Sequence, residues 1–265
     1  IVKGYHIPKT VSKETLMIFT SVSGNTVETL TVLELAKKTN CKIIGLSSGG
    51  KMEQICIKNN FEYRKISMHN SPRASFSTYF YSMLKILEEL LPIEKQDVLK
   101  SIELLKKVRK IISSENLNND NVSLKLAMWL DEIPMIYYPW GLQMVAVRFK
   151  NSLQENSKMH VMTEDILEAS HNGIVSWEKS SKVKPILIQG EDDFVKTKER
   201  WMVIKEYFKK NNINFYEIFS EKGNIVSKLI CLIYLLDYTS IYRAVLSNID
   251  PTPVKSIDYI KNQIS

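Results

Sequence analysis

Leu16-Met-Ile-Phe-Thr-Ser21-Val-Ser-Gly-Asn-Thr-Val-Glu-Thr-Leu30 is an apolar run, a hydroxyl-rich loop with one glycine, and the start of a helical pattern with Leu30, Leu33 and Ala36 on one face. The run reads as a buried parallel strand. Strand, loop and helix in that order form an arrangement that holds phosphate, because loop N–H groups and a helix N-terminus offer partial positive charge. Ser21, Ser23 and Thr26 add hydroxyl donors, and Gly24 lets the backbone come close. No Gly-Lys-Ser/Thr follows, so the loop is not a Walker A. One glycine stands where a dinucleotide fingerprint needs three. A Ser/Asn-capped helix in an ordinary α/β unit is the competing reading of the same residues.

The pattern repeats outward from this stretch. Strands are expected at 16–20, 42–47 and 61–66, with helices over 26–39 and 51–59 and a second tight loop at Ser47-Ser-Gly-Gly50. That is the β-loop-α alternation of a parallel sheet, whose ligands sit beyond the carboxyl ends of the strands. Residues 76–113 are helical, broken at Pro92, and Asn116-Leu-Asn-Asn-Asp-Asn121 reads as a turn or linker. A second α/β block follows, with strands at 135–138, 185–189 and 214–219 and helices over 142–158, 191–210 and 225–248. Pro251 and Pro253 punctuate it before a last short helix. The expected division is 1–75 for a first subdomain, 76–120 for connecting helices, 121–222 for a second subdomain and 223–265 for C-terminal helices.

Composition narrows the classes. The 265 residues are 44% hydrophobic and 25% charged, which are globular values. The net charge of +7 is spread along the chain with Asp and Glu beside the lysines, so it fits solvated helix faces that help attract an anionic substrate, not nucleic acid. No run of about 18 apolar residues is present, so no membrane span is expected. Nor is there a charged segment followed by an apolar core at the start of the chain. Cys41, Cys56 and Cys231 make neither a metal spacing nor a disulfide framework, which points to a reducing cytoplasm. The chain opens with Ile1, as a trimmed chain or a fragment would.

Five segments occur together over nearly the whole chain. They are Ser21–Leu30, Ser71-Pro-Arg-Ala74, Gln154-Glu-Asn-Ser-Lys158, Glu168-Ala-Ser-His-Asn172, and Asp237-Tyr-Thr-Ser-Ile-Tyr242 with Asp250-Pro-Thr-Pro253. In that order they resemble the bifunctional phosphoglucose/phosphomannose isomerases of the sugar isomerase (SIS) superfamily. The resemblance implies an α/β fold of two SIS subdomains, each a parallel sheet flanked by helices. It implies aldose–ketose isomerisation of glucose or mannose 6-phosphate and fructose 6-phosphate through a cis-enediol, with no metal and no organic cofactor.

Roles carry over by position. Glu155 matches the carboxylate that moves the proton between C1 and C2, and His171 the ring-opening histidine, which relatives supply from the neighbouring subunit of a homodimer. Arg73 matches the arginine beside the enediolate, Thr252 the threonine near C3 that lets both epimers be handled, and Lys261 a C-terminal lysine assisting ring opening. Ser21, Ser23, Thr26 and, more weakly, Ser48 match phosphate ligands. By residue type alone, Arg73 also reads as a surface arginine, Glu155 as a solvated helix charge, His171 as a capping residue and Thr252 as part of a turn. His6, His69 and His160 lie in no matching motif, and Met17, Tyr138 and Trp129 read as core.

Two departures stand out. The family's first strand and its Gly-rich loop would precede Gly4-Tyr-His-Ile-Pro8, so about 40–60 residues are expected to be absent, judged against a complete parallel half. Gly173 stands where relatives carry an acidic residue after His-Asn, which predicts looser hydrogen bonding around His171. A non-catalytic sugar-phosphate-binding module and another SIS isomerase are the alternatives. Glu155 and His171 argue against the first, because a sensor needs no base, and the Asp-Pro-Thr-Pro segment argues against the second.

Overall fold

The computed structural model describes residues 1–264. Its contacts divide the chain into two compact units, Ile1–Pro92 with the final turns from Ile260, and Ile93–Tyr259. The division at Pro92 falls inside the stretch expected to connect the halves.

The first unit carries β1 (Leu16–Thr20), α1 (Val27–Ala36), β2 (Lys42–Ser47), α2 (Gly50–Lys58), β3 (Glu62–Lys65) and α3 (Phe76–Ile86). Its strands form a parallel sheet in the order β1-β2-β3, with Phe19 opposite Gly45 and Ser47 opposite Lys65. Strand alternation sorts the core into two layers. Phe19 and Ile43 face Val32, Leu33, Met52 and Cys56 of α1 and α2. Ile44, Leu46 and Ile66 face Tyr79, Met83 and Ile86 of α3. At Gly45 an added Cβ would lie 2.6 Å from Cys56 Sγ, so the bare backbone lets α2 approach the sheet.

The second unit holds α4 (Lys95–Ile112), α5 (Val122–Trp129), β4 (Ile133–Tyr138), α6 (Gln143–Ser157), β5 (Met162–Asp165), α7 (Ile166–Ala169), β6 (Val183–Gln189), α8 (Val195–Lys210), β7 (Tyr216–Phe219) and α9 (Ile225–Leu246). The sheet is parallel, in the order β5-β4-β6-β7. Tyr137 and Leu187 pack on one face with Ile166, Trp177, Trp201, Ile204 and Phe208. Ile136, Ile186 and Ile188 alternate to the other face and are fully buried. The last helix, α10, spans Lys255–Ile264.

Several boundaries differ from the sequence expectation. The helical stretch 76–113 is two helices, and α4 starts at Lys95 because Glu94 and Asp97 form a reciprocal capping box. The Asn-rich stretch is a turn, closed by Asn121 N on Asn118 O, and not a linker. Asn121 is fully buried, accepts from Leu124 N to cap α5, and its Nδ2, with two protons, lies within hydrogen-bonding distance of Ile112 O, Asn116 O and Tyr242 Oη. The helix expected from 191 starts at Val195, since Asp193 first closes a turn on Gly190 N at 3.0 Å. Strand β5 and helix α5 were not foreseen. The expectation of no membrane-length helix is corrected too: α9, at 22 residues, is long and apolar enough by length and composition to cross one. Here α9 packs against α4, α5 and α6 and buries Asn- and Ser-bonded polar groups along with its apolar ones.

Candidate active site

At the carboxyl end of the first sheet the two loops interlock. Ser21 N donates to Leu46 O, Ser48 N and Ser48 Oγ both donate to Val22 O, and Met52 N donates to Gly24 O. Asn25 Oδ1 accepts from Lys51 N at 3.0 Å, and Asn25 Nδ2 donates to Ser23 O. Gly24 (φ +69°) is obligatory, since an added Cβ would lie 1.8 Å from Gly49 O. The first loop thereby occupies the opening amides of α2. The N-terminus of α1 has no such partner from its own cap: Thr26 makes no side-chain capping bond. Of the two helix ends, α1 keeps the amides an anion needs.

The expected phosphate ligands differ in what their hydroxyls offer. Ser21 is buried, its Oγ accepts from Gly24 N, and it lies 2.8 Å from Thr26 Oγ1. One proton serves that Ser21–Thr26 pair, so only one of the two hydroxyls can donate outward. Ser23 is exposed and accepts from Asn25 N, which leaves its own proton to donate. The Ser48 proton goes to Val22 O at 2.7 Å, so Ser48 braces the loop.

Arg73 lies half-buried in a 3-10 turn over Arg73–Ser75. Ser75 Oγ donates to Ser71 O and accepts from His69 N, and His69 Nε2 lies 2.9 Å from Thr78 Oγ1. His69, assigned no function above, holds this turn.

In the second unit Glu155 sits half-buried in the last turn of α6. A polar seam against α9 fixes that end. Arg148 donates through Nε (3.1 Å) and Nη2 (2.8 Å) to the Asp237 carboxylate, which also accepts from Ser152 Oγ at 2.6 Å. One turn on, Asn156 Nδ2 donates to Ser240 Oγ and Ser157 Oγ to Ser240 O. Residues 148, 152 and 156 are spaced four apart, so the seam is one stripe of α6 and Glu155 lies beside it. Asp237, Ser240 and Tyr242 of the quoted motif are therefore scaffold, with Tyr242 Oη donating to Ile112 O.

His171 is exposed on the turn after α7, and its N–H donates to Glu168 O at 2.9 Å. The turn is not loose, contrary to the expectation from Gly173. Glu168 Oε1 accepts from Asn172 Nδ2, and the bare Gly173 admits the Glu164 carboxylate, whose Oε2 would lie 2.3 Å from an added Cβ. Burial, then the charges of Glu168 and Asp165, pushes the Glu164 carboxyl above its ordinary range. Thr252 is exposed; its amide donates to Asp250 Oδ1 at 2.8 Å. Lys261 is exposed in the last turn of α10.

The second unit and its flank match a known domain: residues 119–264 fit the family model of the bacterial phospho-glucose isomerase C-terminal SIS domain. The chain belongs to this family. It is 31% identical to the bifunctional phosphoglucose/phosphomannose isomerase of Caldicellulosiruptor bescii, over 99% of this chain and 80% of that protein. It is 26% identical to the protein of the same name from Aquifex aeolicus, over the whole of this chain and 80% of the relative. Tagatose-6-phosphate ketose/aldose isomerase from Escherichia coli shares the SIS fold at a TM-score of 0.72 and 14% identity, covering 92% of this chain and 72% of that one. The α/β architecture of parallel sheets flanked by helices is thus the SIS architecture, in a chain that belongs to an isomerase family.

The sequence reading missed Asn25, Lys158 and the Arg148–Asp237 pair. Asn25 and Lys158 lay inside quoted motifs and gave no signal beyond their presence. Arg148 and Asp237 are 89 positions apart, and only packing of α6 on α9 joins them.

Proposed function

We propose that this chain interconverts glucose 6-phosphate or mannose 6-phosphate with fructose 6-phosphate through a cis-enediol. The observation that carries the proposal is the placement of Glu155 at the end of α6, a helix end that Ser152, Asn156 and Ser157 fasten to Asp237 and Ser240 of α9. A base that takes a carbon-bound proton needs such rigidity, because misplacement costs rate steeply. Glu155 takes the proton from C2 of the opened aldose and returns it at C1, while the C2 hydroxyl gives up its proton and the C1 carbonyl oxygen gains one. His171 gives and takes the ring-opening proton through its imidazole. Arg73 supplies fixed positive charge to the enediolate oxygen, and Lys261 assists ring opening. Ser23, one hydroxyl of the Ser21–Thr26 pair and the first-turn amides of α1 hold the phosphate, with Ser48 bracing the loop. Thr252 accommodates both C2 epimers. This chemistry consists of proton transfers and asks for no cofactor. The proposal includes a homodimer in which His171 serves the partner's site, cytoplasmic location, and neither nucleic acid nor membrane as partner.

The test is a coupled assay on both 6-phosphates with EDTA present, run beside Glu155→Gln. Turnover of both epimers is expected in the parent. In the variant, loss of C2-proton exchange with deuterated solvent is expected while fructose 6-phosphate still binds. Exchange that persists in Glu155→Gln removes Glu155 from its role.

A further inference from the structure

Lys158 ends α6 in the left-handed region (φ 55°), and its backbone N–H donates to Leu153 O. Its ammonium donates to two carbonyl oxygens, Glu155 O in the last turn of its own helix and Pro253 O at 2.7 Å. The first contact satisfies a helix carbonyl that lacks an intrahelical donor and sets a positive charge at the negative end of the helix dipole. The second crosses 95 positions to the turn between α9 and α10. That turn is organised around Thr252. Asp250 accepts from the Thr252 amide and hydroxyl, which chiefly hold its carboxyl below the ordinary range, with the Lys158 charge adding to the effect.

We propose that Lys158 is a positioning residue, whose ammonium joins the Glu155 end of α6 to the Asp250–Pro253 turn and so fixes Thr252 relative to Glu155. Two carbonyls on separate segments share one cation, and a cation with three donors suits that task. Proline at 251 and 253 leaves the turn few backbone donors of its own, so an outside donor does more there than in an ordinary turn. The consequence is for epimer choice. Thr252 sits beside C3 in the isomerase reading, on which this inference rests, and a turn released from α6 lets it drift from the carbon that Glu155 works on.

The experiment has a structural and a kinetic arm. Lys158→Met removes the ammonium and keeps most of the stem; Lys158→Asn also removes it but tolerates the left-handed backbone. Lys158→Arg restores a cation with several donors. In Met and Asn variants, hydrogen exchange of the peptide covering 249–259 is expected to rise about tenfold, the value of one charge-assisted bond at a partly exposed site. Their kcat is expected to fall by about three- to tenfold, with KM for fructose 6-phosphate near the parent value, since the phosphate is held by other residues. The ratio of mannose to glucose 6-phosphate formed is expected to shift, and Lys158→Arg to recover part of each effect. Unchanged exchange overturns the strap. Raised exchange with unchanged kcat and epimer ratio overturns the positioning role. A parent chain inactive on both epimers overturns the isomerase reading and the positioning role with it, while the exchange arm still decides whether Lys158 holds the turn.

Discussion

Replacing Gly24 with alanine would put a methyl carbon 1.8 Å from the Gly49 carbonyl oxygen, 2.8 Å from its carbon and 3.0 Å from Ser47 Oγ. The obstacle is backbone, so it cannot rotate away, and the loops must separate by more than about 1 Å to reach ordinary packing distance. The left-handed φ of +69° alone costs an alanine roughly 1–2 kcal/mol. Separation also stretches the bonds from Met52 N to Gly24 O and from Lys51 N to Asn25 Oδ1. Losing both adds about 2 kcal/mol at about 1 kcal/mol each, for a total of about 3–4 kcal/mol. Gly141→Ala is the control. Its φ is also positive, at +94°, but nothing lies within 4 Å of an added Cβ, so it incurs the conformational cost alone.

All four tryptophans, Trp129, Trp140, Trp177 and Trp201, lie in the second unit, so indole fluorescence follows Gly141→Ala and misses Gly24→Ala. Hydrogen exchange of β1 and β2 amides reads the first unit instead. The expected excess of about 2 kcal/mol appears as roughly thirtyfold faster opening. Affinity for fructose 6-phosphate should fall in parallel, because the same shift moves Ser23 and Thr26. If Gly24→Ala loosens its sheet no more than Gly141→Ala loosens its own, the loops are not clasped, and the account of the phosphate site fails.

Asp237→Ala strips Arg148 and Ser152 of their acceptor. The pair is 19% and 29% exposed, so the loss should be about 2–3 kcal/mol, below that of a fully buried pair, and tryptophan-monitored denaturation should show it with a fall in kcat. Ser23→Ala should raise KM for fructose 6-phosphate about tenfold and leave thermal stability alone, because Ser23 is exposed and its proton is unspent. Ser48→Ala should do the reverse, costing up to about 1 kcal/mol of stability with little direct effect on KM, as Val22 O keeps Ser48 N and Tyr79 Oη as donors. Glu164→Gln should stabilise the protein at neutral pH. The Glu164 carboxyl is raised on folding, so the native state holds its proton more tightly, and stability falls as pH rises through the carboxylate range. The gain from glutamine should therefore vanish as pH drops below that range, and a gain that persists in acid would contradict the burial of Glu164.

How far the chain could be read in advance depended on whether a signal was local. The strand–loop–helix at residues 16–36 was legible because apolar period, glycine and hydroxyls sit side by side. Both parallel sheets were legible for the same reason, apart from β5, whose Met162-Thr-Glu-Asp165 holds one apolar residue and takes its strand form from pairing with β4. Helix α5 was missed because its cap, Asn121, stood in a stretch whose composition is that of a loop. Nothing in the sequence showed that Asn121 would be fully buried and hydrogen-bonded at the cap of α5.

The sequence by itself determined the α/β class, the order of its strands and helices, and a family resemblance carried by short motifs, since each is written in neighbouring residues. Only the tertiary structure decided what the individual side chains do. It assigned the Ser48 proton to Val22 O, made Asp237 and Ser240 the brace for Glu155, filled the space over Gly173 with Glu164, and brought Lys158 to Pro253. The physical reason is that a hydroxyl, a carboxylate or an ammonium acts through the partner it meets, and partners 26, 85 or 95 positions away are chosen by packing.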